Sequence, residues 1–450
     1  MGRLFGTDGV RGVANTELTC ELAMEIGRAA ATVLSDSNNR PKFVIGSDTR
    51  ASSDMLGNAI AAGLCSIGAD VIQLGVVPTP AVAYLAQKYG ADAGVMISAS
   101  HNPAEFNGIK IFSGNGFKLP DMLEEKIEDL ILADEKNYPK PTGADVGKIS
   151  FASNAAREYI DYIKSTSART LEGLNIAIDC ANGSASATAP ALFEELGANV
   201  HVLSAAPDGA NINRGCGSTH LGALAEYVVA NKLDCGVAFD GDADRCLCVD
   251  HAGNEIDGDM IIAICAMDLK KKGKLNKNTV VGTIMSNFGF GKFCDDNDIR
   301  FVATKVGDRY VLEEMLLEDY VLGGEQSGHV IFREFATTGD GQLTAVQLLS
   351  ILKEQGKSLS ELASVMTRYP QTMVNLRISP EGKIAFYMDK VVSAKLDEAK
   401  QKLGDTGRIV VRPSGTEPLI RVMVEGSDVE FIEEVANDVA SVIMERLGNK

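Results

Sequence analysis

The sequence contains no tryptophan, only five histidines, and far fewer basic than acidic residues. Its 43 lysines and arginines stand against 61 aspartates and glutamates, which gives a net charge of −18. A chain this acidic repels polyanions, so nucleic acid and anionic membrane surfaces are not expected partners. If the ligand is a phosphate ester, the cationic side chains that bind it must therefore be gathered locally.

The sequence also lacks a long hydrophobic run, and its cysteines show no paired spacing. The longest apolar stretch, near Ile261 to Met267, is far shorter than the roughly 20 residues that a membrane-spanning helix needs. The opening residues, MGRLFGTDG, lack the charged and then apolar pattern of a secretory signal. Nine cysteines, an odd number, are interpreted as reduced and mostly buried thiols. These features favour a cytoplasmic protein.

What the sequence does have is the length and composition of a multidomain globular protein. It is 45% hydrophobic and 23% charged, and 450 residues exceed what one hydrophobic core usually organises. Three or four domains are therefore expected. The predicted domains are residues 1–152, 153–255, 256–369 and 370–450.

An internal repeat is the most informative feature of the sequence. Three copies begin near Lys42, Leu174 and Thr279, and each alternates apolar strands with helices. Gly68-Ala69-Asp70-Val71 in the first copy nearly matches Gly197-Ala198-Asn199-Val200 in the second. The last strands of the three copies are predicted at 93–97, 235–239 and 320–322.

This alternation predicts an α/β fold with three similar domains, in which helices cover both faces of mainly parallel sheets. Past Pro370 the pattern changes, and a smaller α+β domain is predicted. Its strands are expected at 373–378, 408–411 and 419–424, and its helices at 389–403 and from 429 onward.

Each copy of the repeat ends its last strand in an unusual polar loop. Ligands bind to sheets of this kind at the carboxyl ends of the strands. Three such loops in the same structural position therefore indicate one shared site. The loops are Ser100-His101-Asn102-Pro103, Asp240-Gly241-Asp242-Ala243-Asp244-Arg245 and Gly324-Glu325-Gln326-Ser327-Gly328-His329.

The second loop places three carboxylates, those of Asp240, Asp242 and Asp244, within five residues. Without a cation they would repel one another, so the pattern favours a hard metal ion such as Mg²⁺. An exposed acidic turn is the structural alternative, although the loop follows a strand predicted to be buried. A calcium EF-hand does not fit, because Arg245 and His251 stand where that loop needs glycine and glutamate.

Ser100 lies where a strand gives way to a His-Asn-Pro turn. A serine in a turn usually forms only structural hydrogen bonds, but Ser100 is the counterpart of the aspartate loop in the repeat. His101 and Asn102 can donate to phosphate oxygens, and Lys110 and Lys118 follow. Phosphoryl transfer depends on charge neutralisation and positioning more than on a strong base. Ser100 is therefore the candidate nucleophile.

Two further segments suit a phosphorylated sugar. The turn Arg412-Pro413-Ser414-Gly415-Thr416-Glu417-Pro418, with Arg421 nearby, offers backbone N–H groups, hydroxyls and guanidinium groups to a phosphate dianion. A structural turn with surface arginines is the alternative. In the third polar loop, Glu325 and Ser327 can bind sugar hydroxyls, and His329 can transfer a proton.

Cations occur in two other glycine-containing segments. Arg11 lies in Phe5-Gly6-Thr7-Asp8-Gly9-Val10-Arg11-Gly12, which is not a P-loop because no Gly-Lys-Ser/Thr follows. A phosphate contact and a plain turn both remain open for this segment. Lys305 and Arg309 flank Val306-Gly307-Asp308 after a strand of the third copy.

These motifs together resemble those of the α-D-phosphohexomutase superfamily, and the resemblance runs nearly from end to end of the chain. The phosphoserine motif of that superfamily appears as Ser98-Ala99-Ser100-His101-Asn102-Pro103. Its metal, sugar and phosphate loops appear at 240–245, 324–329 and 412–418. The FGTDGVRG segment and the GEQSGH form of the sugar loop are most similar to the branch that acts on glucosamine phosphates.

The resemblance implies four domains around a central cleft, the first three being α/β domains with mainly parallel mixed sheets and the last being related to the TATA-binding-protein fold. It implies a mutase that interconverts glucosamine 6-phosphate and glucosamine 1-phosphate on the route to UDP-N-acetylglucosamine. Ser100 would carry a phosphoryl group, one Mg²⁺ would be bound per chain, and a hexosamine 1,6-bisphosphate would be the intermediate and activator. A homodimer is also implied.

The resemblance also implies a role for each site residue. The catalytic residues would be Ser100, His101, Lys110, Arg245, His329 and Arg11. The substrate-binding residues would be Lys305, Gly307, Asp308, Glu325, Ser327, Arg412, Ser414, Gly415, Thr416 and Arg421. The metal ligands would be Asp240, Asp242, Asp244 and the phosphorylated Ser100.

Three other functions remain open at this point. A phosphomannomutase or phosphoglucomutase of the same fold would use the same loops for a different sugar. A phosphatase would use an aspartate of the 240–244 loop as its nucleophile. A non-catalytic sugar-phosphate sensor would bind the same ligands without phosphate on Ser100.

Overall fold

The computed structural model describes residues 4–6, 8–35, 40–167, 169–414 and 418–448. Four sheets organise this part of the chain, and each sheet with its helices is called a unit below, numbered from the N-terminus. None of the described helices is long and apolar enough to cross a membrane.

The first unit is a six-stranded sheet with the order β1-β5-β4-β2-β3-β6. Strands β2, β3, β4 and β6 are parallel, whereas β5 runs antiparallel to both β4 and β1. Its elements are β1 (Val10–Val13), α1 (Cys20–Leu34), β2 (Lys42–Ser47), α2 (Ala51–Ser66), β3 (Asp70–Val76), α3 (Thr79–Lys88), β4 (Ala93–Ile97), β5 (Phe106–Ser113), α4 (Asp121–Leu132) and β6 (Ile149–Phe151).

The second unit has the strand order β11-β10-β9-β7-β8, and the third has the order β13-β12-β14-β15. The second contains α5 (Ala155–Ser165), β7 (Asn175–Asp179), α6 (Ala189–Glu195), β8 (Asn199–Leu203), α7 (Gly222–Asn231), β9 (Cys235–Phe239), β10 (Cys246–Asp250) and β11 (Glu255–Ile256). The third contains α8 (Gly258–Lys271), β12 (Thr279–Thr283), α9 (Phe288–Asp296), β13 (Arg300–Thr304), α10 (Asp308–Glu318), β14 (Leu322–Gly324), β15 (Val330–Phe332), α11 (Gly341–Gln355) and α12 (Leu359–Ala363).

The fourth unit is an antiparallel sheet with the order β16-β18-β17, covered by helices. The predicted smaller α+β domain is confirmed. Its elements are β16 (Gln371–Arg377), α13 (Pro380–Ala385), α14 (Lys390–Leu403), β17 (Gly407–Pro413), β18 (Leu419–Gly426) and α15 (Val429–Leu447).

The first three units share one strand plan, which confirms the repeat seen in the sequence. A central parallel strand (β2, β7 or β12) lies between two parallel neighbours, and the last of these neighbours (β4, β9 or β14) pairs with an antiparallel strand. Each predicted polar loop connects that last parallel strand to its antiparallel partner. The three loops therefore occupy equivalent turns in the three sheets.

The predicted last strand of the third copy, 320–322, is wrong in its position. The strand is β14, Leu322–Gly324, two residues further along. Helix α10 ends at Glu318, and the next residue, Asp319, caps it with a left-handed φ of 62°. Tyr320 and Val321 are therefore needed to turn the chain toward the sheet before pairing can begin.

Several helix starts in the structure follow capping signals in the sequence. The Thr19 hydroxyl accepts from the N–H of Leu22 at the start of α1. Ser358 and Glu361 form a reciprocal capping box at α12. Each such bond satisfies a backbone N–H that the first helical turn leaves unpaired.

The hydrophobic core explains which units form one body. A single buried cluster runs through the first three units and includes Val82 of α3, Phe193 of α6 and Leu348 of α11. The fourth unit has a separate cluster that includes Val424 and Ile432. Apolar packing therefore joins the first three units more firmly than it joins the fourth to them.

All nine cysteines are free thiols, and seven of them are buried.

Candidate active site

The loops that follow β4, β9 and β14 meet in space. Ser100 Oγ donates a hydrogen bond to Asp240 Oδ2 at 2.5 Å, and His329 Nδ1 lies 3.7 Å from Asp244 Oδ2. The first two loops approach so closely that a Cβ atom on Gly241 would lie 2.6 Å from the Ser100 carbonyl oxygen. Only glycine allows such an approach of two backbones. Three distant segments of chain thus form one site.

Ser100 is held in an unfavourable backbone conformation. Its φ of 52° lies in the left-handed region, which is strained for a residue with a side chain. The buried guanidinium group of Arg50 binds the carbonyl oxygens around it, donating to Ser100 at 3.0 Å, to Asn102 at 2.8 Å and to Phe106 at 3.0 Å, and also to Pro103. These bonds fix the turn that carries the serine.

Three further residues, Asp48, Ser98 and Asn213, complete this support. Asp48 Oδ2 accepts from Arg50 Nε at 2.8 Å and from the Ser98 hydroxyl at 2.6 Å. The same Ser98 hydroxyl accepts from the N–H of Ser100 at 3.0 Å. From the second unit, Asn213 Nδ2 donates to the Ser100 carbonyl oxygen at 2.9 Å. Both the N–H and the C=O of the serine are therefore bound.

Asp240, Asp242 and Asp244 form a buried group that fits a cation. One oxygen from each lies within 4.8 Å of the others. Asp242 Oδ1 and Asp244 Oδ1 have no hydrogen-bond partner in the described part of the chain, although unpartnered buried oxygens are costly. Burial, with Asp244 and Asp242 close by, raises the pKa of Asp240 well above its usual range. Oxygen ligands at this spacing are the set that a hard divalent cation takes.

Lys110, on β5, supplies a fixed positive charge beside these carboxylates. Its ammonium lies 2.8 Å from Asp242 Oδ2, 3.1 Å from Asp8 Oδ2 and 3.4 Å from Asp244 Oδ2. Burial alone would lower the pKa of Lys110, but the three carboxylates outweigh it and raise the pKa well above the ordinary value. Lys110 is therefore protonated and suited to stabilise negative charge.

A second lysine, the half-buried Lys118, extends the network of charges toward the third unit. Its ammonium contacts Asp8 Oδ1 at 2.8 Å and Asp308 Oδ2 at 2.5 Å. Burial would raise the pKa of Asp308, but Lys118 outweighs that effect and lowers it. Arg11 also pairs with Asp8. Charges of alternating sign thus connect the N-terminal segment to the start of α10.

His329 lies between two carboxylates. Its Nε2 accepts from the N–H of Gly339 at 3.0 Å and lies 3.3 Å from Asp308 Oδ2. The neutral ring consequently carries its proton on Nδ1, facing Asp244. Burial would lower the pKa of His329, but Asp308 and Asp244 outweigh it and raise the pKa. A histidine of this kind can take up and release a proton.

His101 differs from His329 in its electrostatic surroundings. Its Nδ1 lies 3.4 Å from Ser100 Oγ. Burial, together with the positive charges of Arg245 and Arg11, lowers the pKa of His101 to about 4. At neutral pH His101 is therefore an uncharged neighbour of the serine hydroxyl.

A cavity of about 450 Å³ opens between the first and third units beside these groups. This volume lies in the range of roughly 300–1,000 Å³ that is typical of small-molecule sites. Its wall contains three arginine or lysine side chains and four aspartate or glutamate side chains, so the basic groups face carboxylates across the cavity. The lining residues are Leu4, Gly6, Asp8, Gly9, Arg11, His101, Lys118, Asp244, Arg245, Val306, Gly307, Asp308, Glu325 and His329.

Two predicted substrate-binding residues of the third unit lie outside this wall. Lys305 is exposed, and its ammonium lies 5.7 Å from the ring centre of Tyr310. Ser327 is half-buried and does not line the cavity. By contrast, the N–H of Gly307 donates to Glu325 Oε1 at 3.1 Å, which joins two of the predicted residues at the cavity.

The predicted phosphate loop lies on the fourth unit. Arg412 and Arg421 are directly opposite each other on β17 and β18, a pairing of like charges that is unfavourable without an anion. Burial and the charge of Arg421 lower the pKa of Arg412. Ser414 is buried, whereas Gly415 and Thr416 lie outside the described residues. None of the three described residues lines the cavity.

Several residues of the site were not selected from the sequence. Asn213 carries no local signal, because its partner Ser100 lies 113 residues away along the chain. Asp8 pairs with nearby Arg11, but its bond to Lys118 spans 110 residues. Asp48 and Arg50 directly follow β2, a central parallel strand of its sheet. The rule that ligand sites gather at the carboxyl ends of strands could have found these two.

Comparisons with protein families and known proteins agree with this architecture. Phosphoglucomutase/phosphomannomutase family models match the chain in four parts. The alpha/beta/alpha domains I, II and III match residues 2–138, 157–253 and 257–369, and the C-terminal domain matches residues 373–442.

Curated relatives match the chain over nearly its whole length. A phosphoglucosamine mutase of Clostridium botulinum strain Kyoto is 53% identical over 444 residues, covering 98% of this chain and 99% of the relative. A phosphoglucosamine mutase of Acetivibrio thermocellus is 54% identical over 449 residues, covering 100% of both chains.

Solved structures share the fold at lower identity. A phosphoglucomutase/phosphomannomutase family protein of Burkholderia thailandensis superposes with a TM-score of 0.83 at 23% identity, covering 98% of this chain and 97% of that one. The N-acetylphosphoglucosamine mutase of Aspergillus fumigatus, solved with GlcNAc-6P and magnesium, gives a TM-score of 0.64 at 17% identity and covers 98% and 95% of the two chains.

Proposed function

The chain belongs to the phosphoglucomutase/phosphomannomutase family, and we propose that it interconverts glucosamine 6-phosphate and glucosamine 1-phosphate. Its relatives at 53% and 54% identity are named phosphoglucosamine mutase, after this substrate class. The rival, a phosphomannomutase or phosphoglucomutase, rests on a structural neighbour at 23% identity, which shares only the fold.

The observation that carries the proposed chemistry is the position of the Ser100 hydroxyl, 2.5 Å from Asp240 Oδ2 at the edge of the aspartate group. In the proposed reaction, Ser100 carries a phosphoryl group in the active enzyme. Transfer breaks the bond between Ser100 Oγ and phosphorus, and forms a bond from phosphorus to the free sugar hydroxyl oxygen. The proton of that hydroxyl passes to a base, for which His329 is placed between Asp244 and Asp308. Ser100 Oγ, the leaving oxygen, takes up one proton in exchange and becomes a hydroxyl again.

The product of this step is a hexosamine 1,6-bisphosphate. After it has turned over in the cleft, its other phosphoryl group returns to Ser100, and the isomeric monophosphate is released. Lys110 and Arg245 stabilise the negative charge on the transferring group, since both cations are held beside the aspartate group. Mg²⁺, bound by Asp240, Asp242, Asp244 and a phosphoserine oxygen, would neutralise further charge on the phosphoryl oxygens.

Binding of the substrate is proposed to use two regions. Glu325, Gly307 and Asp308 line the cavity and are assigned to the sugar. Lys305 and Ser327 are assigned to it as well, although they lie outside the cavity wall. The non-transferring phosphate is assigned to Arg412, Ser414, Gly415, Thr416 and Arg421 of the fourth unit. These two regions can act together only if the fourth unit closes over the cavity, which would also exclude water from the phosphoserine.

The four domains are taken as residues 1–152, 153–255, 256–369 and 370–450. The enzyme is proposed to be a cytoplasmic homodimer without a nucleic-acid partner, and to supply glucosamine 1-phosphate for UDP-N-acetylglucosamine synthesis.

The experiment combines intact-mass measurement with a substrate panel. The wild-type protein is expected to carry one phosphoryl group, and Ser100→Ala is expected to carry none and to show no mutase turnover by ³¹P NMR. Glucosamine 6-phosphate should be converted faster than glucose or mannose 6-phosphate. Preference for another sugar would overturn the glucosamine assignment, and substantial turnover by Ser100→Ala would overturn the mechanism.

The same measurements distinguish the remaining rivals. A phosphorylated intermediate that hydroxylamine cleaves would indicate an aspartyl phosphate and a phosphatase. A protein that binds the sugar phosphates but never carries a phosphoryl group would be a sensor.

A further inference from the structure

Helix α3 of the first unit begins against the aspartate loop of the second. The N–H of Thr79 donates to the carbonyl oxygen of Asp242 at 2.9 Å, and the Thr79 hydroxyl donates to Asp242 Oδ2 at 2.6 Å. Thr79 is fully buried. One residue thus binds both the main chain and the side chain of an aspartate that lies 163 residues further along the chain.

These contacts determine which oxygen of Asp242 is presented to the site. Oδ2 accepts from the Thr79 hydroxyl and from Lys110 Nζ at 2.8 Å. Oδ1 is buried without a hydrogen-bond partner in the described chain. We propose that Thr79 is a positioning residue for metal-dependent phosphoryl transfer, because it holds Asp242 so that Oδ1 faces the cation.

Lys110 alone could not impose this orientation. Its ammonium is shared with Asp8 at 3.1 Å and Asp244 at 3.4 Å, and it ends a long flexible side chain. The Thr79 side chain is branched at Cβ and therefore has few rotamers. Pro78 and Pro80 flank it and restrict the backbone at the start of α3. Thr79 is thus the rigid partner of the two.

Thr79 also joins the two units whose alignment the reaction needs. Ser100 belongs to the first unit, and its hydroxyl must face Asp240 of the second. Thr79 forms its bonds across the same boundary. Its partner Asp242 lies two residues after Asp240 in the aspartate loop. This inference rests on the proposed function, since it concerns the cation and the serine of that mechanism.

The test compares Thr79→Val, which keeps the shape but loses the hydroxyl, with Thr79→Ser, which keeps the hydroxyl. Binding of Mn²⁺ alone, without sugar, is titrated by electron paramagnetic resonance. We expect Thr79→Val to bind Mn²⁺ about 10- to 100-fold more weakly than wild type, the usual effect of losing a residue that orients a metal ligand. Thr79→Ser should restore most of the affinity.

Thr279→Val is the matched control. Thr279 is equally buried, and its hydroxyl donates to the Lys277 carbonyl oxygen at 2.9 Å, outside the site. It should bind Mn²⁺ like wild type. If Thr79→Val unfolds, Thr79→Ala provides the same comparison with a smaller side chain.

In turnover, Thr79→Val should lower kcat about 10-fold or more while KM for the sugar phosphate changes little, because no sugar contact is lost. Unchanged Mn²⁺ affinity in Thr79→Val, equal losses in Thr79→Val and Thr79→Ser, or no Mn²⁺ binding by wild type would overturn the positioning role. A wild type that binds Mn²⁺ and loses affinity on Thr79→Val, yet converts no sugar phosphate, would support Thr79 and overturn the proposed function.

Discussion

Ser100 and Asp240 come from different units, yet the serine hydroxyl and the aspartate carboxylate share a hydrogen bond of 2.5 Å. The contact places the candidate nucleophile at the edge of the candidate cation site. A single ion bound there would touch both the carboxylates and a phosphoryl group on the serine.

The first prediction concerns the cation. Asp240→Asn removes one negative charge and one ligand oxygen from the site, and should weaken Mg²⁺ binding by about 100-fold or more, beyond the usual effect of losing an orienting residue. Isothermal titration calorimetry, in which Mg²⁺ is added to the sugar-free protein, measures this affinity. Mutase turnover at fixed Mg²⁺ should fall in parallel.

Asp250→Asn is the matched control for that change. Asp250 is equally buried, but it accepts hydrogen bonds from Ala252 and Asn254 in a hairpin turn outside the site. It should leave Mg²⁺ affinity unchanged. Equal losses in both variants would mean that the effect comes from general instability rather than from a ligand.

The second prediction concerns the support beneath the serine. Arg50→Lys keeps the charge but loses the planar fork that binds four carbonyl oxygens of the serine turn. A displacement of about 1 Å at a reacting atom can cost about 100-fold in rate. We therefore expect a fall in kcat of that order with little change in KM, measured by steady-state kinetics.

Asn213→Gly offers a milder test of the same support. Asn213 has a φ of 58°, which glycine adopts without strain, so the change removes only the amide that binds Ser100 from the second unit. Its kcat should fall less than that of Arg50→Lys. If both variants keep wild-type kcat, the serine turn does not depend on these bonds.

The third prediction concerns the paired arginines of the fourth unit. Arg412→Ala should raise KM for the sugar phosphate about 10- to 100-fold, because a hydrogen bond to a charged group contributes about 1.5–3 kcal/mol. Without ligand, thermal stability should not fall, since a repulsion with Arg421 across the strands is relieved.

The control for that change is Arg446→Ala, which removes an exposed arginine of the same unit that pairs with Asp389. Its KM should stay at the wild-type value. Addition of phosphate should raise the unfolding temperature of Arg446→Ala and not that of Arg412→Ala. An unchanged KM in Arg412→Ala would remove this pair from the substrate site.

The fourth prediction is a pH dependence of stability. Burial raises the pKa of Asp340 to about 6, above the ~3.9 of an unfolded chain. The folded state therefore holds this proton more tightly, and the stability it contributes is present below about pH 4 and is lost as the pH rises through about 6. The amide of Asp340→Asn does not titrate, so the stability of this variant lacks this pH dependence.

The free energy of unfolding of Asp340→Asn relative to wild type should consequently rise by up to about 3 kcal/mol between pH 4 and pH 6, and then level off. Denaturant titrations across this range measure it. Tyr159→Phe removes a hydroxyl that donates to Asp340 and should shift the change to higher pH. A difference that is flat with pH would show that Asp340 titrates normally.

Much of the fold could be predicted because its signals are local. The repeat of apolar strands gave the three similar units, and β4 and β9 lie where the pattern placed them, at Ala93–Ile97 and Cys235–Phe239. The antiparallel partners β5, β10 and β15 were less visible. A strand that returns beside its neighbour after a short loop has the same local composition as one that continues a parallel sheet.

The sequence by itself determined the chemistry that is available: a serine, three aspartates and two arginine-containing loops, each within a few consecutive residues. Only the tertiary structure decided how that chemistry is held. Arg50, Thr79 and Asn213 act on partners 50 to 163 residues away. Such contacts follow from how whole sheets form and pack, because a hydrogen bond between distant segments leaves no periodicity in either segment.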